Sequence, residues 1–237
     1  MHAWPVTLPP RPRDWPANGE GDDHPPDRFA KAWKADGARM NETLVLTPER
    51  ILEVTEEVLR RYGLAKSTVV DVARALDVSH GSVYRHFPSK ASLREAVAKR
   101  WLDRVNAPLQ EIAQGSGSPP VRLEHWLRTM IAIKHKKVCD DPEMFATYLA
   151  LAQEACKVVK AHKDGLVDQI AHIISDGVKQ GDFEAADAKA SARALFDATI
   201  RFHHPAHAEE WSDPAQAARI DALLALLLRG LEAPCKH

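Results

Sequence analysis

Residues 67–90 have the sequence STVVDVARALDVSHGSVYRHFPSK, and this stretch decides the interpretation of the chain. Ser67 or Thr68 can cap a short helix, because a hydroxyl there accepts a hydrogen bond from an N–H of the first turn. Asp77 lies where a turn is expected, and a short polar residue tolerates left-handed backbone. Ser79 can cap a second short helix. The stretch therefore predicts a helix-turn-helix.

The apolar residues of this stretch predict how the two helices pack. The inner face of the first helix is expected to consist of Val69, Val70, Val72, Ala73 and Leu76. Val78 fills the junction between the helices, Val83 points back into the core, and Phe87 closes the far end. The outer side of the second helix is then almost entirely polar. In a helix-turn-helix this second helix enters the major groove of DNA with its N-terminal residues at the base edges.

The predicted DNA-contacting residues follow from this arrangement. They are Thr68, Ser79, His80, Gly81, Ser82, Tyr84, Arg85, His86 and Lys90. A plain, solvated helical hairpin is the alternative interpretation, but Glu and Lys would serve a plain surface better than a cluster of His, Tyr and Arg. Residues 48–101 carry ten basic and seven acidic side chains, which gives a modest local positive charge in a chain of net charge −1.

The same residues carry a resemblance to a known family. Residues 47 to about 95 resemble the N-terminal DNA-binding domain of the TetR family of transcriptional regulators. The match consists of Thr68, Asp71, Val72, Ala73, then Val78-Ser79-x-Gly81-Ser82-Val83-Tyr84-x-His86-Phe87-x-Ser89-Lys90, and Leu93. The resemblance implies an all-helical homodimer with a C-terminal ligand pocket, released from DNA by a small molecule. One departure is Asp77, which stands where the family usually has glycine.

The cysteine pattern, the apolar runs and the N-terminal sequence predict the cellular location of the protein. The three cysteines, Cys139, Cys156 and Cys235, are scattered, which favours reduced thiols over a disulfide framework. No apolar run approaches the roughly 18 residues that a membrane-spanning helix needs. The N-terminus lacks the layout of a signal peptide. We therefore expect a cytoplasmic protein that does not enter a membrane.

The chain divides into three predicted regions. Residues 1–40 hold seven of the 16 prolines and no helical period, so we expect a disordered or peripheral extension. Residues 41–95 form the predicted DNA-binding domain of three helices. Residues 96–237 form a predicted helical bundle for ligand binding and dimerisation. Because the chain shows helical spacing of apolar residues and no sustained period of two, the predicted fold class is all-α.

The second half of the chain supplies the predicted dimer contact. A long helix is expected from Pro142 towards Gly181, and the last two helices are expected at 185–203 and 214–231. The final helix repeats leucine at helical spacing over residues 220–231. This wide stripe suits either the core of one chain or a helix-bundle interface between two. We predict a homodimer through the last two helices, bound to a palindromic operator in double-stranded DNA.

Ligand-binding residues are harder to predict, because no catalytic or phosphate-binding motif follows residue 105. The candidate effector pocket consists of Met130, Met144, Tyr148, His162, Phe196 and His203, all of which would serve equally well in a plain core. An alternative hypothesis is a metal sensor using His162, His203, His204 and His207, and a weaker one is a helical enzyme. The sequence favours a non-enzymatic regulator with an unidentified effector, no catalytic residue, no metal site and no cofactor.

Overall fold

The structure is a computed structural model, and it describes residues 46–233. The predicted N-terminal extension and Cys235 lie outside the described residues. From Thr47 onward the described chain is one compact unit built of helices. The predicted boundary at residues 95 and 96 falls inside a helix, which therefore runs through both predicted domains.

The first three helices form the helix-turn-helix region. They are α1 (Pro48–Lys66), α2 (Val69–Ala75) and α3 (His80–His86). Thr47 caps α1 through a hydrogen bond from the N–H of Arg50, and Gly63 interrupts α1 with a φ of 71°. Asp77 holds the turn between α2 and α3 with a φ of 54°, so the predicted left-handed turn is confirmed.

Eight further segments of the described residues complete the fold. They are α4 (Lys90–Gln114), α5 (Pro119–Asp140), α6 (Pro142–Glu154), α7 (Cys156–Gln180), α8 (Ala188–Ala198), α9 (Ile200–His203), the 3-10 helix Pro205–Ser212 and α10 (Gln216–Arg229), the short α9 continuing directly from α8. Apart from one isolated bridge between Phe183 and Glu232, the described chain has no extended pairing. The all-α prediction is confirmed.

Two clusters of buried apolar side chains hold the helices together. The larger cluster joins the second half of α4 to α5, α7, α8 and α10, with Trp126, Leu127 and Ile170 fully buried. The smaller cluster joins α1 and the first half of α4 to α6, with Trp101, Phe145 and Tyr148 at its centre. Helix α4 contributes to both clusters, so it ties the helix-turn-helix to the bundle.

Three expectations about helices were wrong. Val70 is 52% exposed, because Val69, Val72, Ala73 and Leu76 share the helical spacing of one face and Val70 lies about 100° away from it. The helix expected from Pro142 to Gly181 is two helices, which meet at the buried Ala155. No helix-breaking residue marks this point, so tertiary packing sets it.

The helix expected at 185–203 is also divided. Asp187 caps α8 through hydrogen bonds from the N–H groups of Lys189 and Ala190. At the other end the buried Thr199 donates its hydroxyl proton to backbone carbonyls of α8 and separates α8 from α9. Ser, Thr and Asp compete for backbone hydrogen bonds in this way, which is why such residues mark helix ends.

Candidate functional site

The predicted DNA-contacting residues lie on α3 and on the starts of α2 and α4. The exposed ones are Thr68, Ser79, His80, Gly81, Tyr84, Arg85, His86 and Lys90, and Ser82 is half-buried. Val83, which is fully buried, anchors α3 from the inside. Seven residues at helical spacing cannot bury more than one face, so the polar side of α3 faces outward as predicted.

Caps fix the orientation of the two short helices. Thr68 and Asp71 form a reciprocal capping box at the start of α2, with 2.9 Å between the N–H of Thr68 and Oδ2 of Asp71. Ser79 accepts a hydrogen bond from the N–H of Ser82 at the start of α3. Such caps typically contribute about 1 kcal/mol each. They hold the exposed face of α3 in one position relative to the rest of the fold.

The side chains of α3 also contact one another. The hydroxyl groups of Ser79 and Ser82 lie 2.9 Å apart, and Nη2 of Arg85 donates to Oγ of Ser82 over 3.3 Å. The rings of His80 and Tyr84 meet edge to face, 6.3 Å between their centres. These contacts pre-order a surface of hydroxyl, imidazole, phenol and guanidinium groups, which are the groups that bind base edges and phosphates.

Ion pairs within the protein occupy many of the nearby basic residues. Arg74 pairs with Asp71, Arg94 with Glu154, and Arg100 with Glu53 and Glu56. Within residues 46–233, Arg85 and Lys90 form no ion pair. Arg85 of α3 and Lys90, the first residue of α4, are therefore the nearby basic side chains best able to bind the phosphates of DNA.

A chain of contacts leads from α1 into the bundle. Nη2 of Arg104 donates to Oε1 of the buried Glu56 over 2.8 Å and to the hydroxyl oxygen of Tyr148 over 3.2 Å. The Tyr148 ring stacks on Trp101 with 4.6 Å between centroids and 11° between planes. Burial raises the pKa of Tyr148 to about 12, so its hydroxyl is protonated at neutral pH. Sequence reasoning named Tyr148 as a candidate pocket residue but missed Arg104 and its contact with Glu56.

A buried cation lies next to this chain of contacts. Lys134 of α5 is only 9% exposed, and its Nζ lies 5.5 Å from the ring centroid of Trp101. Burial, and then the like charges of Lys137 and Lys163, lower the pKa of Lys134 to about 8. Sequence reasoning missed Lys134, although its position four residues after Met130 places it on the apolar face of α5. This four-residue spacing is the sequence signal from which the burial of Lys134 could have been predicted.

Two of the predicted ligand residues lie near this cation. Burial, and then the charge of Lys134, lower the pKa of His162 to about 3. Burial also lowers the pKa of His203 to about 4, with a smaller contribution from Lys134. Nε2 of His203 lies 3.2 Å from the carbonyl oxygen of Phe196, whereas Nε2 of His162 is buried and has no hydrogen-bond partner in the described chain. We call Lys134, Trp101, His162 and His203 the Lys134 cluster.

The other predicted ligand residues are divided between the two apolar cores. Met130 and Phe196 belong to the larger core cluster, and Phe196 also contacts His203 at 4.8 Å between ring centres. Met144 and Tyr148 belong to the smaller one. The structure therefore brings His162, His203 and Phe196 to one region and gives Met144 a packing role beside Trp101.

The alternative hypothesis of a metal sensor finds no support. Among residues 46–233 no three His, Cys, Asp or Glu side chains are grouped so that they could hold a metal ion. His203 bonds to a carbonyl group, and Nδ1 of His207 lies 3.2 Å from Glu210. Pro205 starts the 3-10 helix and lies between these two histidines in the sequence. A search of the same residues for a helix long and apolar enough to cross a membrane also finds none.

Comparisons with known proteins agree with this geometry. Residues 51–97 match the model of the family described as bacterial regulatory proteins, tetR family. Residues 119–224 match a second model, described as a tetracyclin repressor-like C-terminal domain. The first match contains the helix-turn-helix, and the second contains Lys134, His162 and His203.

Individual relatives match along most of their length. The HTH-type transcriptional regulator TtgR of Pseudomonas putida is 25% identical over 69% of this chain and 82% of its own. The HTH-type transcriptional repressor KstR2 of Rhodococcus jostii is 23% identical over 78% of this chain and 90% of its own. The solved structure of SmeT, the repressor of the Stenotrophomonas maltophilia multidrug efflux pump SmeDEF, has a TM-score of 0.59 at 19% identity over 80% of this chain and 92% of that one. This chain belongs to the TetR family of DNA-binding transcriptional regulators.

Proposed function

We propose that this regulator is a homodimeric repressor that binds a palindromic operator and leaves it when a small-molecule effector binds in the bundle. The observation that carries the proposal is helix α4, which begins at Lys90 beside α3 and continues past Trp101 into both cores. A rearrangement around Trp101 therefore acts on the same rigid element that holds the DNA-contacting head. KstR2 and SmeT, to which this chain is similar, are repressors, which favours repression over activation.

On the DNA side, we propose that α3 enters the major groove. His80, Ser82 and Tyr84 then face base edges, while Arg85 and Lys90 face phosphates. The N–H groups at the start of α2, next to Thr68, add a further phosphate contact. Because few cations are left unpaired in this region, few phosphates are neutralised, and affinity is expected to fall with a shallow slope as salt rises.

On the effector side, the contacts of Arg104 provide the connection. Arg104 joins Glu56 of α1 to Tyr148 of α6, and Tyr148 in turn stacks on Trp101. An effector that displaces Trp101 breaks the stacking of the Trp101 ring on Tyr148. Tyr148 and Arg104 then change position. The orientation of α1, and with it the separation of the two DNA-contacting heads, then shifts. The effector favours release only to the extent that it binds the released state more tightly.

The dimer contact is proposed on the outer side of α10. Leu224 and Leu231 are buried in the larger core cluster, so part of the leucine stripe belongs to the core of one chain. Leu226, on the other side, is 61% exposed. An exposed leucine among alanines on a helix is suited to close packing against a second copy of the same helix.

The test is selection of binding sites from a random duplex library with the purified full-length protein at near-physiological salt. An enriched inverted repeat is the expected result, because a two-fold dimer places two copies of α3 in successive major grooves. Half-sites enriched without a second copy would contradict the dimer. No enrichment from folded protein, repeated after unfolding and refolding to remove any bound effector, would contradict the assignment of α3 as the DNA-contacting element.

A further inference from the structure

We infer that the Lys134 cluster is the effector site and that its ligand is an organic anion with an apolar body, of the class of aromatic carboxylates. In this arrangement the ammonium group of Lys134 binds the carboxylate and His162 donates a hydrogen bond to it. The inference rests on the proposed function, since it names the chemical class of the effector.

The first support is that Lys134 is buried without an anion. Lys134 is only 9% exposed, and none of the hydrogen bonds and ion pairs among the described residues involves it. Its one polar contact is with the Trp101 ring. Buried charges in proteins are normally paired, because a charge away from water is costly to keep. A carboxylate brought in by a ligand supplies the missing partner.

The second support is the unpartnered atom of His162. Nε2 of this side chain is buried and has no hydrogen-bond partner in the described part of the chain. Buried polar atoms are almost always bonded, and each exception calls for an explanation. The imidazole is neutral at neutral pH, so Nε2 can carry the ring's one N–H and donate a hydrogen bond to a ligand oxygen.

The sign of the surrounding charge selects an anion. Lys137 and Lys163 act on Lys134 as like charges, and Lys137 also approaches the Trp101 ring, 5.9 Å from its centroid. Asp103 acts in the opposite direction on His162, but less strongly than Lys134. Glu56 is committed to Arg100 and Arg104. A cationic ligand would meet net repulsion at this site, and an anionic ligand would meet attraction.

The apolar surroundings select the body of the ligand. Trp101 is a buried member of the cluster, and the buried Phe196 contacts the His203 ring. Ligand sites are usually apolar with a few polar groups that fix orientation. An aromatic ring or a short alkyl chain on the ligand can pack against these side chains.

The test compares carboxylates with their amides, which have nearly the same shape and no charge. The probes are benzoate, phenylacetate, cinnamate and 1-naphthoate, each with the corresponding amide, added to the full-length protein. Thermal unfolding is measured first, and titration calorimetry then gives the affinity of any acid that raises Tm. At least one acid is expected to raise Tm by several degrees while its amide does not. Equal shifts for acids and amides, or no shift with any acid, would overturn the inference.

Variants then locate the site. Lys134→Met is expected to weaken binding of the stabilising acid at least tenfold, and His162→Phe to weaken it several-fold. Lys136→Met, at an exposed position of the same helix, is the matched control and is expected to bind normally. Each variant is compared with its own Tm without ligand, and His162→Phe tests the site if Lys134→Met folds poorly. Unchanged affinity in both variants would place the anion elsewhere and overturn the inference.

Operator release separates this inference from the proposed function. The same acid is titrated into protein bound to a fluorescent operator, and release is followed by anisotropy. An acid that binds through Lys134 but leaves the operator bound contradicts ligand release and leaves the anion site in place. An amide that releases the operator when no acid does so contradicts the anion site and leaves ligand release in place.

Discussion

At the scale of single residues, Lys90 is the basic side chain best placed to affect DNA binding alone. It is exposed at the first position of α4 and has no ion pair among the described residues. Lys90→Ala is expected to weaken operator binding about tenfold and to make the slope of log K against log salt less negative by about one. Fluorescence anisotropy at four salt concentrations measures both quantities.

Lys136→Ala provides the control for this prediction, because Lys136 is an exposed lysine of α5 outside the helix-turn-helix. Its affinity and salt slope are expected to match those of the unaltered protein. If Lys90→Ala weakened binding but left the salt slope unchanged, Lys90 would not neutralise a phosphate.

Lys134 sets a second prediction, on stability and its pH dependence. Its lowered pKa of about 8, against an ordinary value of 10.5, means that the charged side chain destabilises the fold at neutral pH. Lys134→Met removes this charge, so we expect a free energy of unfolding higher by on the order of 2 kcal/mol at pH 7, the lost contact with Trp101 offsetting part of the gain.

The sign of the pH effect follows from the two pKa values. Below pH 8 Lys134 is protonated in both the folded and the unfolded chain, so the full penalty is present. Between pH 8 and 10.5 the folded chain loses this proton first, and the penalty declines. Urea denaturation should therefore show a smaller difference between Lys134→Met and the unaltered protein at pH 10 than at pH 7. An equal difference at both pH values would mean that the lysine is not charged in the folded state.

At the scale of elements, the turn between α2 and α3 depends on Asp77. Its φ of 54° lies in the left-handed region, which is easier for glycine than for other residues, and its side chain makes no hydrogen bond among the described residues. Asp77→Gly is expected to stabilise the protein by about 0.5 kcal/mol, and Asp77→Val to destabilise it by more than 1 kcal/mol. Thermal unfolding of the two variants checks this, and a more stable Asp77→Val would show that the turn can adopt another geometry.

At the scale of the whole molecule, oligomeric state depends on the exposed side of α10. Leu226→Glu places a charge in the proposed dimer contact and is expected to shift the protein from dimer to monomer at micromolar concentration, with weaker operator binding. Sedimentation velocity measures the change. Val121→Glu is the matched control, because Val121 is 66% exposed on α5 and outside the proposed contact. A Leu226→Glu protein that stayed dimeric would place the interface on another surface.

Much of the molecule follows from short-range rules that the sequence carries openly. Thr68 and Ser79 cap helices where expected, because capping depends only on a side chain and the next three residues. The left-handed turn at Asp77 is equally local. The helix-turn-helix and its outward polar face were therefore predictable, and so was the all-α class.

Other features depend on contacts between residues distant in sequence, and they emerge only when the helices pack together. The division of the 142–181 segment at Ala155 has no local signal and follows from packing of that residue in the smaller core. Helix packing also buries Lys134 beside Trp101 and leaves Nε2 of His162 without a hydrogen-bond partner among residues 46–233. By itself the sequence determined that this protein is an all-helical regulator with a DNA-contacting helix. Which polar groups are enclosed together depends on how α4, α5 and α7 pack, because burial is a property of the assembled helices and not of any one of them.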